Sequence, residues 1–313
     1  IERITMASTM GHVEGREFRS GFVTFVGRPN AGKSTLINNI MGKKIAITSN
    51  TAQTTRHRFR AVLTRDDFQM ILVDTPGLHK PHDALGEELN TSALKSLEDV
   101  DAVCMLVDSS KEVGRGDEWV ASQLNSVRAT KILVLSKCDL VNEEQLAAQM
   151  EKARQLADWD AVMVCSGETG EGVENLVNDI AALLPEGPKW FPDDMETDQP
   201  IEVVIAEFIR EKILRSFHDE VPHAIGVKVE EMRYNKRNKT NGITAIVYVE
   251  RDSQKGIIIG KGGSAIKKIG TEARADLEQL LGTKVFLDLS VKVKKNWRRD
   301  ASQIRRFGYG EGA

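Results

Sequence analysis

Little in this chain suits a membrane or an oxidising compartment. Its 313 residues contain no run of eighteen apolar residues, so no segment is expected to cross a bilayer. Only three cysteines occur, Cys104, Cys138 and Cys165, each within or beside an apolar run. That scatter excludes a disulfide framework or a cysteine metal site and predicts reduced, packed thiols in a cytoplasmic protein. Residues 1–20 lack the apolar core of a signal peptide, begin without methionine and mix charge with glycine. They read as a disordered extension or a misplaced start. The chain as a whole is 41% apolar and 28% charged, ordinary for a globular chain with room for two domains.

The net charge of −3 conceals an asymmetry. Residues 1–200 carry 21 Lys and Arg against 31 Asp and Glu, whereas residues 201–313 carry 22 against 15. A basic module for a polyanion, joined to an acidic one, accounts for this division.

From residue 21 to 184, short β-branched runs alternate with helical patterns. Strands are expected at 22–26, 59–64, 69–73, 102–107, 132–136 and 161–165. Val173, Leu176, Val177, Ile180 and Leu184 share one helical face. The alternation predicts an α/β domain with a mostly parallel sheet, helices on both faces and ligands at the carboxyl ends of the strands. Residues 185–200 hold four of the eight prolines and five acids, a linker composition. A smaller α+β domain is expected at 201–295. Val204, Ile205, Phe208, Ile209 and Ile213 make a helical face; residues 225–229 and 245–249 alternate; a helix is expected at 265–281 and a strand at 285–293. Residues 296–313 form a basic closing helix and tail, in which Trp297 either stacks a base or anchors the helix.

The most informative segment is GRPNAGKS at 27–34, between an apolar strand and a helical pattern. Gly27, Arg28, Pro29, Asn30, Ala31 and Gly32 form a loop whose N–H groups, with the following helix N-terminus, suit a polyphosphate. Lys33 is placed to reach the β and γ phosphates, and Ser34 to give its hydroxyl to Mg²⁺, with Thr35 following. DTPG at 74–77 closes a strand, so that Asp74 can hold Mg²⁺ and the Gly77 N–H can meet the γ-phosphate. SKCD at 136–139 closes another. There Asp139 can accept both N1–H and N2–H of guanine, whereas adenine would leave a desolvated carboxylate unpartnered. GTP is therefore the expected ligand.

These segments, in this order, resemble the translation-factor-like GTPases. The resemblance extends to CSGETG, where Ser166, Gly167 and Glu168 stand in the last base-contacting loop, and includes Lys137 beside the base. Two positions depart from it. Ser136 stands where the family has Asn, which touches the base and ties its loop to the phosphate loop, so affinity is expected to weaken. Gly167 stands where Ala is usual, expected to be a small change. In the polar loop at 48–58, Thr55, or alternatively Thr54, is expected to ligate Mg²⁺ only when the γ-phosphate is present, making a switch. Leu78 replaces the glutamine that many GTPases use to orient water, so slow intrinsic turnover is expected, on the order of 10⁻⁴ to 10⁻² s⁻¹. Asn30 resembles the K⁺ ligand of potassium-activated members. His79 and His82 read as ordinary loop residues.

GIIIGKGGSAIKKIG at 256–270 places Gly260, Lys261, Gly262 and Gly263 between an apolar run, read as strand-like, and a helix carrying Lys267 and Lys268. This resembles the GXXG loop of a type II KH domain, which clamps about four nucleotides of single strand. The two modules together resemble the bacterial KH-domain GTPases of small-subunit ribosome assembly. That resemblance implies binding to the 3′ end of 16S rRNA and to the 30S subunit, and peripheral association with the inner membrane face. A passive RNA-binding protein with a weakened nucleotide site, and a P-loop kinase, are the alternatives.

Overall fold

A computed structural model describes residues 17–49, 54–78, 83–217, 221–307 and 309. Residues 1–16 of the expected extension, part of the polar loop, His79, His82 and the last residues of the tail lie outside them. The first domain is a six-stranded sheet of β1 (Arg19–Gly27), β2 (Phe59–Thr64), β3 (Phe68–Asp74), β4 (Ala102–Asp108), β5 (Thr130–Ser136) and β6 (Ala161–Val164). The order is β2-β3-β1-β4-β5-β6, with only β2 antiparallel to its neighbour. β3 is buried along its whole length and β1 and β4 along nearly all of theirs, as strands covered on both faces must be. The covering helices are α1 (Lys33–Met41), α2 (Ala84–Lys95), α3 (Arg115–Ser122), α4 (Glu143–Arg154) and α5 (Val173–Leu183). One face packs against α1 and α5, through Leu36, Ile37, Leu176 and Ile180. Leu78, Ala93, Val120 and Ala153 belong to the core on the other.

β1 begins at Arg19, within the segment expected to be disordered to residue 20. Arg19 pairs with Phe68 and bridges to Glu186, and its guanidinium donates to the Leu184 carbonyl. The proline-rich segment after α5 forms no helix or ladder strand, yet it lies along the sheet edge. The Gln69 amide accepts from the Trp190 and Phe191 N–H groups, Ser20 donates to the Pro188 carbonyl, and Asp198 accepts from the Arg60 N–H.

The second domain comprises α6 (Ile201–Ser216), β7 (Gly226–Asn235), β8 (Thr240–Val249), α7 (Asp252–Ile259), α8 (Ser264–Leu281) and β9 (Lys284–Val293), followed by α9 (Ala301–Arg306). β8 pairs antiparallel with β7 and parallel with β9. The apolar run at 256–259, expected to be strand-like, is helical. The Gln254 side chain accepts from the Glu250 and Arg251 N–H groups and starts α7, while Ile258 is buried in the core under the sheet. Capping and packing thus override the β preference of three consecutive isoleucines. Two helices, rather than one, separate β8 from β9.

The domains share an interface. Trp297, Ile304, Phe307 and Tyr309 form a buried cluster with Leu85 and Leu89 of α2. Trp297 is fully buried and its indole N–H donates to the Ala224 carbonyl at 3.0 Å, so it anchors the closing segment rather than offering a stacking face. No helix among the described residues is long and apolar enough to cross a membrane.

Candidate nucleotide site and nucleic-acid interface

The predicted nucleotide residues converge at the carboxyl ends of β1, β3 and β5. A cavity of about 280 Å³ is lined by Pro29, Asn30, Gly32, Lys33, Ser34, Thr35, Thr54, Thr55, Gly77, Ser136, Lys137, Asp139, Ser166, Gly167 and Glu168. Gly27, Arg28, Ala31 and Asp74 stand just outside that lining. Gly27 has φ +155° and a Cβ there would sit 2.6 Å from the Leu106 carbonyl oxygen, so β1 can leave the sheet only through glycine. Gly32, at φ +97°, caps α1, whose first turn holds no acid to compete with an anion. Arg28 turns away to pair with Asp117 at 2.9 Å.

The Lys33 ammonium lies 3.4 Å from the Gly27 and Arg28 carbonyls, and burial lowers its pKa to about 8 against the opposing charge of Asp74. Burial raises Asp74 to about 7, although Lys33 and the Thr55 hydroxyl hold it down. A phosphate beside Lys33 and a cation beside Asp74 would restore both charges. Ser34 Oγ lies 3.1 Å from Thr55 Oγ1, which donates to Asp74 Oδ2 at 3.3 Å. The other carboxylate oxygen, Oδ1, is buried without a hydrogen-bond partner among the described residues. Three hard oxygen donors and an orphaned carboxylate oxygen fit Mg²⁺. Thr54 instead exchanges a hydrogen bond with Ser49 at 2.7 Å, so Thr55 is the threonine beside Ser34 and Asp74. Leu78 is buried in the core and takes no part in the cavity.

At the base end, Asp139 is exposed at the cavity wall. Lys137, at φ +58°, passes within 3.8 Å of the position a Gly32 Cβ would take and pairs with Asp108 at 2.7 Å. The Ser136 hydroxyl reaches the Ala31 carbonyl at 2.7 Å and the Val107 carbonyl at 3.1 Å. The tie to the phosphate loop, which was expected to suffer from the loss of Asn, is therefore made by serine. Gly167 packs directly on α1: a Cβ would lie 2.8 Å from the Leu36 nitrogen and 2.9 Å from its Cα. Alanine at this position would push the base loop off α1, so glycine is not the small change expected.

In the second domain, Gly260 to Gly263 form a turn between α7 and α8. Gly260, Gly262 and Gly263 have φ values of +72°, +60° and +80°, which side chains resist. Lys261, Lys267 and Lys268 are exposed around the α8 N-terminus. Beside them, Ile266, Gly270, Arg274, Phe286 and Leu289 line a surface cavity of about 310 Å³. Phe286 is 69% exposed and shares this lining with Lys267 and Arg274.

The family model of a 50S ribosome-binding GTPase matches residues 22–137, and that of a KH domain matches residues 220–298. A crystal structure of Aquifex aeolicus Era bound to GDP and aluminium fluoride is 35% identical; the alignment covers 94% of this chain and 100% of that one, with a TM-score of 0.90. The chain belongs to the Era family of GTPases. Era in complex with MgGDPNP and nucleotides 1506–1542 of 16S ribosomal RNA is equally similar, at 35% identity, 94% and 99% coverage and a TM-score of 0.90.

Within this Era-family fold, two features escape sequence reasoning. Phe286 was hidden inside an alternating strand, although an aromatic residue at an outward-facing position of that strand is the available signal. The second is α6, buried continuously from Val204 to Leu214 and including Glu207, Arg210, Glu211 and Lys212. Its apolar stripe accounts for only one face. Four charged residues interleaved with that stripe, on a helix between two domains, are the trace that this second contact leaves.

Proposed function

We propose that this Era-family GTPase is a Mg²⁺-dependent switch whose KH domain binds the 3′ end of 16S rRNA and assists maturation of the 30S subunit in the cytoplasm. The observation that carries this reading is the meeting of Lys33, Ser34, Thr55 and Asp74 at one end of a cavity and Asp139 at the other, on a chain that also presents the GKGG loop. Ser34, Thr55 and Asp74 would hold Mg²⁺, which when bound draws charge from the β- and γ-phosphate oxygens. Lys33 and the loop N–H groups bind the phosphates, Gly77 approaches the γ-phosphate closely because it has no side chain, and Asp139 selects guanine. The family model's description names the large subunit, whereas the Era relative that spans both domains is bound to small-subunit RNA; the two-domain match supports the small subunit.

Asn30, in the left-handed conformation at φ +65°, lines the cavity and is the proposed K⁺ ligand. Asn30 would hold K⁺, whose charge would act where an arginine finger does, and turnover is expected to be faster in K⁺ than in Na⁺. GTP engages Thr55 through Mg²⁺ and Gly77 through the γ-phosphate, raising RNA affinity; hydrolysis ends both contacts. Peripheral association with the inner membrane face is a further part of the proposal, resting on resemblance alone. The test is a titration of GTP and ATP with Mg²⁺, repeated with a short RNA from the 16S 3′ end. GTP preference, together with mutual tightening of GTP and RNA, is the expected result. Equal affinity for ATP, or RNA binding indifferent to nucleotide, would refute it.

A further inference from the structure

The loop that carries Thr55 is held by the other domain. The Arg210 guanidinium of α6 donates to the Thr54 carbonyl, next to the residue whose hydroxyl meets Ser34 and Asp74. At the next residue, Glu211 Oε1 accepts from the Thr48 N–H at 3.0 Å. Arg215 donates to Thr48 Oγ1 at 2.9 Å and pairs with Glu211 at 3.0 Å. Thus three residues of α6, a helix of the second domain, hold the loop at Thr48 and at Thr54.

These groups are built into place. Arg210 and Glu211 are fully buried, and Arg210 is oriented by Glu207 at 2.8 Å and 2.5 Å. Glu211 is also paired with Lys44 of the first domain at 2.5 Å and with Lys212 at 3.2 Å. A buried guanidinium with a fixed carboxylate partner has little rotational freedom, so the Thr54 carbonyl it binds is fixed in turn.

We infer that Arg210 and Glu211, with Arg215 in support, are positioning residues of the GTPase site, so that the KH domain completes in cis the loop bearing Thr55. The inference rests on the GTPase reading of the site and extends it to a helix outside the nucleotide-binding domain. Since GDP lacks the γ-phosphate that this loop meets, the contribution belongs to turnover and to Mg²⁺ affinity in the GTP state. GDP affinity does not depend on it.

The test uses the full chain in four forms: unaltered, Arg210→Ala, Arg210→Lys, and Arg215→Ala, the last at a half-exposed position where the fold is safe. Single-turnover GTP hydrolysis, Mg²⁺ half-saturation and GDP affinity are measured, with melting as a control. Arg210→Ala should lose about 10- to 100-fold in turnover, the scale of an ångström-level misplacement, and require more Mg²⁺, with GDP affinity unchanged. Arg215→Ala should lose about two- to fivefold in the same pattern. Arg210→Lys, which keeps the charge but cannot bridge Glu207 and Thr54 as a planar fork, should rescue little. If both alanine variants turn over GTP like the unaltered chain, or lose GDP and GTP binding in parallel, the inference is overturned. If the unaltered chain itself fails to hydrolyse GTP, the underlying GTPase reading fails instead.

Discussion

Ser136→Ala is the sharpest probe of how this nucleotide site is held together. The hydroxyl has one hydrogen and two carbonyls within reach, of which Ala31, at 2.7 Å, is the nearer. Removing it severs the side-chain link between β5, which leads into the base loop, and the phosphate loop. Ser136 is buried, so water cannot readily replace the lost donor. A neutral hydrogen bond contributes about 0.5–1.5 kcal/mol net, and a buried acceptor left without its donor costs about 1–3 kcal/mol. Part of that cost falls on the free protein, because the link exists without ligand. Guanine-nucleotide affinity should therefore fall by roughly three- to tenfold, equivalent to about 0.7–1.4 kcal/mol. Preference for guanine over adenine should not change, since it rests on Asp139. Dissociation of a fluorescent GDP measured by chase, with GTP and ATP competition, reads both quantities. Unchanged dissociation would refute the structural role given to the hydroxyl, and an altered base preference would refute the division of labour between Ser136 and Asp139.

Gly167→Ala should weaken guanine-nucleotide binding at least as much as Ser136→Ala, because the added Cβ meets the α1 backbone rather than a flexible side chain; calorimetric titration with GDP checks this. The domain interface should loosen in acid. Glu207 and Glu211 are buried, which by itself raises a carboxyl pKa, but Arg210 beside Glu207, and Lys44 with the Thr48 N–H beside Glu211, bring both below the ordinary 4.5. Their stabilisation is therefore complete above pH 4.5 and is lost as pH falls through the lowered values, and Glu211→Gln should flatten the fall in melting temperature over that window. If four to six phosphates are neutralised, RNA affinity should drop by about 50- to 300-fold between 50 and 200 mM salt, measurable by anisotropy.

The candidate nucleotide site was legible because its residues sit in short contiguous segments at strand ends, where loop composition and strand pattern reinforce one another. Lys33, Asp74 and Asp139 each follow from a local motif, and the sheet brings them together. Thr55 was legible only as one of two neighbours; the hydrogen bonds that separate it from Thr54 join residues far apart in the chain. The α7 run was misread because isoleucine favours strands while Gln254 and the core beneath the sheet favour a helix. Arg210 and Glu211 were invisible for a similar reason: a charged residue buried against another domain looks, in sequence, like one facing solvent. Trp297 was resolved by a single hydrogen bond to Ala224 and by the ring of Phe307, 4.9 Å away.

In the proposed switch, nucleotide state and RNA occupancy are coupled through one molecule. Binding of a labelled 16S 3′-end RNA to the full chain, compared with GDP and with a non-hydrolysable GTP analogue in the same Mg²⁺ and K⁺ buffer, tests it directly. Tighter RNA binding with the GTP analogue, matched by an equal tightening of that analogue when RNA is present, is the predicted result. Identical RNA affinity in the two nucleotide states would contradict the account.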